Sequence, residues 1–392
     1  MKSIFTLFIL AASIYLREEE KTVKTWYDKG ETLLKESYTV RVNGKDTVRQ
    51  GKYVIYYENK NLWQEGVYEQ NKLTGLWTDY YENGVLKQEL PYLNNQLNGV
   101  LNYYYPTGKI QQRLSYKDDL LNGESINYYE DGTVQEIGNY LNNQPHGEVK
   151  AFYEDGKIRF LKNFSNGAEH GSMQLYFENG NIQEKSLKKN NLYEGLFTDY
   201  YKDYKDGAVN KTCFYVNGKL NGKLTGYYPN GNKRLECNYV DDLITGVYTE
   251  FYDSVKLIVK QAGSYSNNHK SGIWNSYYDN GALYSTGKYT DDKLDSIWNV
   301  YFRNGKLKQT GLYRGGKATG QWIFYYESGG IKNKGLYQDD FKTGNWLTYY
   351  TTGELMSEIS FVQGQRDGLA KGYSKSGQVI EKTMYKNGEV QK

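Results

Sequence analysis

The stretch Tyr80-Tyr81-Glu82-Asn83-Gly84 decides the fold, because a similar stretch, Tyr104-Tyr105-Pro106-Thr107-Gly108, follows 24 residues later. Such pairs recur along almost the whole chain, and only the steps from Tyr200 to Tyr227 and from Phe251 to Tyr277 depart from 24. A fixed period of this length is typical of a repeat array rather than of two or three globular domains. The first aromatics of the pairs are Tyr56, Tyr80, Tyr104, Tyr128, Phe152, Tyr176, Tyr200, Tyr227, Phe251, Tyr277, Tyr301, Tyr325, Tyr349 and Tyr373.

Each repeat predicts one β-hairpin, because residues alternate with period two on either side of an Asn-Gly or Asp-Gly dipeptide. These dipeptides favour a two-residue type I′ turn, whose central residues both need positive φ. A two-residue turn at Asn304-Gly305 places Phe302 opposite Leu307 and Trp298 opposite Gly311. The same count places Trp274 opposite Gly287, so we expect these glycines to leave room for the indoles. The other turns of this kind are Asn83-Gly84, Asp131-Gly132, Asp155-Gly156, Asn179-Gly180, Asn230-Gly231 and Asn280-Gly281.

Alternation also assigns the two aromatics of each pair to opposite faces of the sheet. The second aromatic, such as Tyr81, is expected on the same face as the later tyrosine, here Tyr92, and this face should be the more buried one. The first aromatic, such as Tyr80, is expected on the opposite face among Thr, Lys, Asn and Glu. Repetition then produces a ladder of tyrosines on the wetter surface.

Consecutive hairpins are joined by short polar segments, such as residues 94–99, that leave no room for a crossover helix. The strands should therefore form a meander. The predicted fold is all-β: an elongated single-layer antiparallel meander of repeated β-hairpins, with solenoid-like repeats of 24 residues. About fifteen units are present if Trp26-Tyr27 marks a degenerate first copy.

The assembled unit, with Gly followed by Leu or Trp, then the Tyr pair and Asn-Gly, resembles the MORN-repeat variant family. Residues 272–281 and 320–327 are most similar to it, and the resemblance covers residues 26 to 388. It implies β-hairpins in an extended array and a role in binding or scaffolding rather than catalysis. A bacterial subgroup is labelled as the antitoxin component of toxin–antitoxin systems, and eukaryotic MORN proteins are associated with membranes, phospholipid and complex assembly.

The N-terminus predicts export. Residues 4–16 form a short apolar run after Lys2, and a charged segment follows it. Thirteen residues are short for a membrane-spanning helix, so residues 1–16 are interpreted as a signal peptide. Residues 17–50 are assigned to an N-terminal cap and degenerate first repeat, and residues 51–392 to the tandem repeats. The expected location is periplasmic, surface or extracellular.

The charged residues argue against nucleic acid as a partner. The chain has 49 basic and 46 acidic residues, and these are dispersed along the sequence rather than gathered into a basic block. The carboxylates that precede the turns are interpreted as solvated hairpin positions rather than as acid/base pairs. They are Glu82, Glu130, Glu154, Glu178 and Glu327.

The cysteines and histidines also follow the repeat. Cys213 and Cys237 are one period apart, in a position that other units fill with glycine, so they are interpreted as small fillers beyond disulfide reach. His146 and His170 share a polar turn position too widely spaced for a common metal. His269 has no evident partner in the sequence. No cofactor, metal or catalytic constellation is expected, and the chain is not expected to be an enzyme.

The tyrosine ladder is the candidate binding site, because tyrosine combines large contact area with few rotatable bonds and a hydroxyl group. We expect a binding or scaffold module with a protein partner, and a glycan is the other ligand considered. Neutralisation of a toxin and contact with a membrane surface are the alternative functions, although the weak net charge gives membrane contact little support. The candidate residues are Tyr80, Tyr104, Tyr128, Tyr277, Tyr301 and Tyr325.

Overall fold

The computed structural model describes residues 19–43, 46–204 and 207–391, and the chain divides into two compact units, Met1–Gly171 and Ser172–Lys392. In these described stretches all regular structure is β-strand, arranged in repeated antiparallel hairpins of an open sheet. The predicted all-β fold of hairpin repeats is confirmed. The same stretches contain no helix of the length and apolar character that crossing a membrane requires. The predicted signal peptide, residues 1–16, lies outside them.

In the first unit each strand pairs with its neighbour in sequence. Its strands are β1 (Glu19–Trp26), β2 (Leu34–Asn43), β3 (Asp46–Tyr56), β4 (Leu62–Glu69), β5 (Lys72–Tyr80), β6 (Leu86–Leu93), β7 (Gln96–Leu97), β8 (Gly99–Tyr104), β9 (Ile110–Lys117), β10 (Leu120–Tyr128), β11 (Val134–Leu141), β12 (Gln144–Phe152) and β13 (Ile158–Ser165).

Strand β14 (Ala168–Tyr176) contains the division, and the second unit repeats the same meander. Its strands are β15 (Ile182–Lys189), β16 (Leu192–Tyr193), β17 (Gly195–Tyr200), β18 (Val209–Val216), β19 (Lys219–Leu220), β20 (Gly222–Tyr227), β21 (Lys233–Val240), β22 (Leu243–Ile244), β23 (Gly246–Phe251), β24 (Val259–Ser266), β25 (His269–Tyr277), β26 (Leu283–Thr290), β27 (Lys293–Leu294), β28 (Ile297–Tyr301), β29 (Leu307–Arg314), β30 (Lys317–Tyr325), β31 (Ile331–Gln338), β32 (Phe341–Tyr349), β33 (Leu355–Val362), β34 (Gln365–Arg366), β35 (Gly368–Tyr373), β36 (Val379–Lys386) and β37 (Glu389–Val390).

The Asn-Gly turns have a different geometry from the predicted type I′ turn. After β5, the N–H of Gly84 donates to the carbonyl of Tyr81, and the N–H of Tyr81 donates to the carbonyl of Val85, both at 2.8 Å. Gly84 has a φ of +85°, whereas Asn83 has negative φ and its Oδ1 accepts the Val85 N–H at 3.0 Å. This is a three-residue loop, a type I turn closed by a left-handed glycine. The type I′ prediction was wrong here.

The extra loop residue changes the register only beside the turn. Trp298 faces Gly311 as predicted, but Tyr301 rather than Phe302 faces Leu307. An irregularity of this kind, a β-bulge, lets one strand carry an additional residue without disturbing the ladder farther along. The register prediction is therefore confirmed away from the turn and wrong next to it.

Type I′ turns do occur, at the polar joins between repeats. Asp118 and Asp119 between β9 and β10 have φ of +51° and +65°, and Lys117 pairs with Leu120 across them. The second turn residue also reaches the preceding repeat: the N–H of Leu97 donates to Asp119 Oδ1 at 2.7 Å, and the N–H of Asp119 donates to the Leu97 carbonyl at 3.0 Å. A side-chain acceptor explains why Asn or Asp stands where glycine is common. The same side-chain bond joins Arg49–Asn71, Leu73–Asn95, Leu121–Asn143, Leu220–Asp242, Ile244–Asn268, Lys270–Asp292 and Ala318–Asp340.

The two faces of the sheet differ in burial. We call the face that carries Trp77 and Trp274 the tryptophan face. In the first unit its buried residues include Trp77, Leu90 and Leu101, and Tyr92 packs against them, so the predicted burial of the Tyr92 face is confirmed. The opposite face carries the first aromatic of each pair, and we call it the tyrosine face.

Each buried tryptophan lies over a glycine of the preceding strand. A Cβ on Gly263 would be 2.2 Å from the Trp274 ring, and the Trp274 Nε1 donates to the Ser264 carbonyl at 3.1 Å. From the sequence, the room for this indole is expected at Gly287. Gly287 does face Trp274, but it accommodates the next tryptophan instead. The pairs in contact are Gly66–Trp77, Gly263–Trp274, Gly287–Trp298, Gly311–Trp322 and Gly335–Trp346.

The second aromatic of each pair links its hairpin to the next. The Tyr278 hydroxyl donates to the carbonyl of Tyr301 at 2.9 Å. Its ring packs edge-on against Tyr284, which lies on the tyrosine face because its neighbour Ser285 pairs with Ser276 on the tryptophan face. The predicted placement of the second aromatic on the more buried face was therefore wrong. Equivalent bonds run from Tyr27, Tyr57, Tyr81, Tyr105, Tyr129, Tyr201, Tyr228, Tyr252, Tyr326 and Tyr350.

Replacing Tyr278 by phenylalanine should lower the free energy of unfolding by about 1 kcal/mol, because the Tyr301 carbonyl loses its side-chain donor. Phe302 occupies the same position without a hydroxyl, so Phe302→Tyr should stabilise the chain by a similar amount. Urea denaturation measures both changes. Tyr284→Phe is the matched control, because Tyr284 is an exposed tyrosine, and it should have little effect on the free energy of unfolding. Equal effects of Tyr278→Phe and Tyr284→Phe would contradict this role.

Candidate partner-binding face

All six predicted binding tyrosines lie on the tyrosine face, at the ends of successive hairpins, and all are half-buried. The first unit brings together Tyr80, Tyr104 and Tyr128, and the second unit brings together Tyr277, Tyr301 and Tyr325. Equivalent positions two strands apart are separated by about 10 Å. Each unit thus presents its own ladder of evenly spaced rings.

In the first unit two of the three ladder hydroxyls, those of Tyr80 and Tyr104, are engaged by carboxylates. Tyr104 Oη donates to Glu89 Oε2 at 2.7 Å, and Asn102 Nδ2 donates to the same oxygen at 2.8 Å. Burial and this hydrogen bond to a carboxylate raise the pKa of Tyr104 to about 12. Tyr80 Oη lies 3.4 Å from Glu65 Oε1, and Lys52 forms an ion pair with Glu65. These hydroxyls are already used within the sheet.

In the second unit the ladder has different neighbours. Thr286 and Thr310 occupy the strand positions that Glu65 and Glu89 hold in the first unit, as their pairings with Asn299 and Ile323 show. Thr310 Oγ1 donates to Asn299 Oδ1 at 2.6 Å rather than to a tyrosine. Among the described residues, the hydroxyls of Tyr277, Tyr301 and Tyr325 have no hydrogen-bond partner. The second ladder therefore keeps its polar groups available for a ligand.

Exposed aliphatic side chains share the tyrosine face and form a surface that was not predicted from the sequence. Most of them follow a repeat glycine directly, as in Gly272-Ile273, where Ile273 is 64% exposed, whereas Leu187 and Ile297 follow a serine. A large exposed apolar patch is typical of an interaction site. In the first unit these residues are Val67, Leu76 and Val100, and in the second unit they include Leu187, Leu196, Val247, Ile273, Ile297 and Leu336.

The titratable residues form no metal site in the part of the chain that the structure describes. No three His, Cys, Asp or Glu residues gather there as a metal site. His269 does have a partner, since its Nδ1 lies 2.6 Å from Asp292 Oδ2, and both side chains are exposed. A depression of about 580 Å³ is lined by Gln338, Asp339, Phe341, Thr343, Val362 and Gln363, which provide a single carboxylate.

Cys213 and Cys237 are free and buried, in the position that glycine holds beneath the tryptophans. Burial raises the pKa of the Cys237 thiol to about 11, and that of Cys213 in the same direction. A raised pKa keeps a thiol protonated and unreactive. The interpretation of both residues as small core fillers is confirmed.

These features define a class of protein: an array of β-hairpins, joined to each other by hydrogen bonds at both edges, with one packed face and one more exposed face. More particularly, the chain belongs to the MORN repeat variant family, because that family's model matches most of it. Repeats of this family suggest a binding or scaffold module. The matched residues are 49–70, 73–94, 97–118, 121–142, 145–166, 169–190, 220–241, 294–314, 318–339, 342–363 and 366–387.

Other comparisons add little. A search of curated protein sequences gives no match. Among solved structures, the chain is similar to one in "Crystal Structure of TcdB2-TccC3-Cdc42", with 11% identity and a TM-score of 0.13, over 91% of this chain and 27% of that chain. A chain in "Crystal Structure of TcdB2-TccC3" gives 11% identity and a TM-score of 0.14, over 98% of this chain and 24% of that one. Our chain thus spans about a quarter of those chains, and TM-scores this low support no argument.

Proposed function

We propose that the chain is a non-enzymatic binding or scaffold module, and that the tyrosine face of the second unit contacts a protein partner at the cell envelope or outside the cell. The observation that carries the proposal is the ladder of Tyr277, Tyr301 and Tyr325, whose hydroxyls have no partner among the described residues. Half-buried tyrosine rings are held in place by the sheet, so little entropy is lost when a ligand covers them.

The exposed aliphatic residues on the same face support a protein ligand over a glycan. Ile273 and Ile297 are 64% and 59% exposed, and both lie within two strands of a ladder tyrosine. Protein interfaces bury apolar cores ringed by polar groups. A glycan would leave these side chains in contact with hydroxyl groups.

Replacing Tyr277, Tyr301 and Tyr325 together by serine should weaken partner binding by at least about tenfold, because aromatic anchors dominate the energy of protein interfaces. The partner is first captured from fractionated cells by photo-crosslinking at position 297, and its affinity for the purified full-length protein is then measured. Sequencing of the mature N-terminus in the same fractions tests the location, and an intact Met1 in the cytoplasm would contradict export.

The matched control places the same three substitutions at Tyr80, Tyr104 and Tyr128 of the first unit, where carboxylates engage the hydroxyls of Tyr80 and Tyr104. Circular dichroism establishes that each variant remains folded. The proposal is wrong if the variant of the second unit is folded and binds the partner as the unaltered protein does.

A further inference from the structure

The second unit contains a long stretch of strands without a carboxylate. From β24 to β32, no strand carries Asp or Glu. The acidic residues of this stretch all lie in turns and loops, at Asp279, Asp291, Asp292, Asp295, Glu327, Asp339 and Asp340. The basic residues of the strands are Lys260, Lys270, Lys288, Lys293, Lys308, Arg314, Lys317, Lys332, Lys334 and Lys342.

Among the lysines on the tyrosine face are Lys288, Lys308, Lys332 and Lys334. Lys288 directly follows Gly287, which lies on the tryptophan face, so Lys288 lies on the opposite face. Lys308 is three residues before Gly311 on β29, and Lys332 and Lys334 are three residues and one residue before Gly335 on β31. An odd separation along a strand places these lysines on the opposite face from the glycines, which is the tyrosine face. Among the described residues, none of the four is within 4.0 Å of a carboxylate oxygen. Lys260, on the same face, differs because it forms an ion pair with Glu250 at 2.8 Å.

Three of the four lysines are held over aromatic rings. The Nζ of Lys308 lies 5.8 Å from the centre of the Phe302 ring, and that of Lys332 lies 5.9 Å from the Tyr326 ring. Lys334 lies 5.5 Å from the Tyr349 ring. Such contacts fix a cation without neutralising it. The stretch therefore presents positive charges at fixed positions.

Exposed aliphatic residues lie between these lysines. Leu336 follows Lys334 on the same strand face and is 46% exposed, and Ile297 is 59% exposed on β28, the strand that pairs with β29. We define the lysine–aliphatic surface as Lys288, Lys308, Lys332, Lys334, Ile297 and Leu336.

We propose that the lysine–aliphatic surface binds an acidic polypeptide segment that also carries aliphatic side chains. This inference rests on the proposed function and names the chemistry of its protein partner. Charge complementarity supports it, because unpaired lysines steer and orient an acidic ligand. The interleaved Ile297 and Leu336 supply the apolar contacts that hold it.

Polypeptide fits this surface better than nucleic acid or lipid. Tight binding to a nucleic acid commonly neutralises about 6–10 phosphates, more than the lysines available here, and a nucleic acid offers no aliphatic groups to Ile297 and Leu336. The rings of Phe302 and Tyr326 lie beneath lysines instead of being free to stack on bases. On a membrane each lysine contributes only about 1 kcal/mol.

The test measures fluorescence anisotropy of a short labelled peptide of alternating glutamate and leucine, titrated with the full-length protein. The double substitution Lys332→Glu and Lys334→Glu should weaken binding by at least about tenfold, since charge reversal adds repulsion. The matched control, Lys72→Glu with Lys117→Glu, gives the same net charge at exposed positions of the first unit and should change the affinity by less than about twofold.

A second pair of measurements tests the apolar contribution. Ile297→Ser with Leu336→Ser should weaken binding of the glutamate–leucine peptide but not of a glutamate–serine peptide. Equal losses in the two lysine variants overturn the inference, as does tighter binding of a single-stranded oligonucleotide or of phosphatidylserine vesicles at the same lysines. If the captured partner is lost on serine substitution of the tyrosine ladder but not on lysine reversal, the inference fails while the proposed function stands.

Discussion

Replacing Trp274 with alanine should lower the free energy of unfolding by about 3–5 kcal/mol, the range for removing a large buried aromatic side chain. Trp274 is 3% exposed, and its ring packs edge-on against Tyr265 at 5.2 Å and lies 5.8 Å from the Tyr248 ring. Its Nε1 also donates to the Ser264 carbonyl. The substitution leaves a cavity over Gly263 and removes contacts to both neighbouring hairpins.

Urea denaturation gives the total loss, and hydrogen exchange of β24 to β26 shows whether it is local, as expected for an array in which stability depends on nearest neighbours. Ile273→Ala is the matched control, because Ile273 adjoins Trp274 on the same strand and is 64% exposed. This control should change the free energy by less than about 0.5 kcal/mol. A loss at Trp274 no larger than at Ile273 would show that the tryptophan face is not the core.

Replacing Gly263 with leucine should cost at least about 3 kcal/mol, because overpacking a fixed core forces side chains or backbone to move. The ring atoms of Trp274 lie 2.2–2.5 Å from the place of a Cβ on Gly263, which is closer than non-bonded carbon atoms approach each other. Neither the strand backbone nor the packed indole can withdraw without breaking the contacts to Tyr265.

The double variant Gly263→Leu with Trp274→Leu should recover most of that loss. The chain already contains this combination, since Leu90 and Leu101 stand in the equivalent positions and are 8% and 1% exposed. A double-mutant cycle by urea denaturation measures the coupling, which should exceed about 2 kcal/mol for side chains in direct contact. If the losses of stability from the two single substitutions simply add in the double variant, the side chains at positions 263 and 274 are not in contact.

The sequence predicts the repeat and the hairpins because the 24-residue period and the alternation within it are visible without any spatial information. It also contains the signal for the packing of the core. A glycine stands eleven residues before Trp77 and before Trp274, as it does before the other buried tryptophans of the repeats. The glycine on the following strand, such as Gly287 opposite Trp274, gives the correct register. The indole of Trp274, however, packs on Gly263 of the preceding strand.

The turn types could not be deduced from composition alone. Asn-Gly fits both a two-residue type I′ turn and a three-residue loop. Bonds such as the one that the Val85 N–H donates to Asn83 Oδ1 favour the three-residue loop. Asp118 and Asp119 have positive φ, and in this conformation Asp119 Oδ1 accepts a hydrogen bond from the N–H of Leu97, twenty-two residues earlier in the chain. Only the folded array brings these groups together.

The candidate site was predictable in its position but not in its chemistry. The period places Tyr104 and Tyr301 in the same slot, yet Glu89 binds the hydroxyl of Tyr104, whereas the hydroxyl of Tyr301 has no partner among the described residues. The difference arises from residues on the preceding strand, glutamate in one unit and threonine in the other. Sequence alternation alone does not say which neighbour a side chain reaches.

The hydroxyl bonds between hairpins have a consequence for how the array yields to force. The hydrogen bonds that tyrosine hydroxyls donate from one hairpin to the next lie beside the three-residue loops. The hydrogen bonds to Asn or Asp side chains lie at the opposite ends of the strands. A force that pulls successive hairpins apart therefore acts on both sets of bonds at once. Phe177 and Phe302 stand in place of the bonding tyrosine and have no hydroxyl to donate to the next hairpin. Under a pulling force, neighbouring hairpins should separate first beside Phe177 and Phe302. A partner bound across Phe302 would shift the first separation to another hairpin.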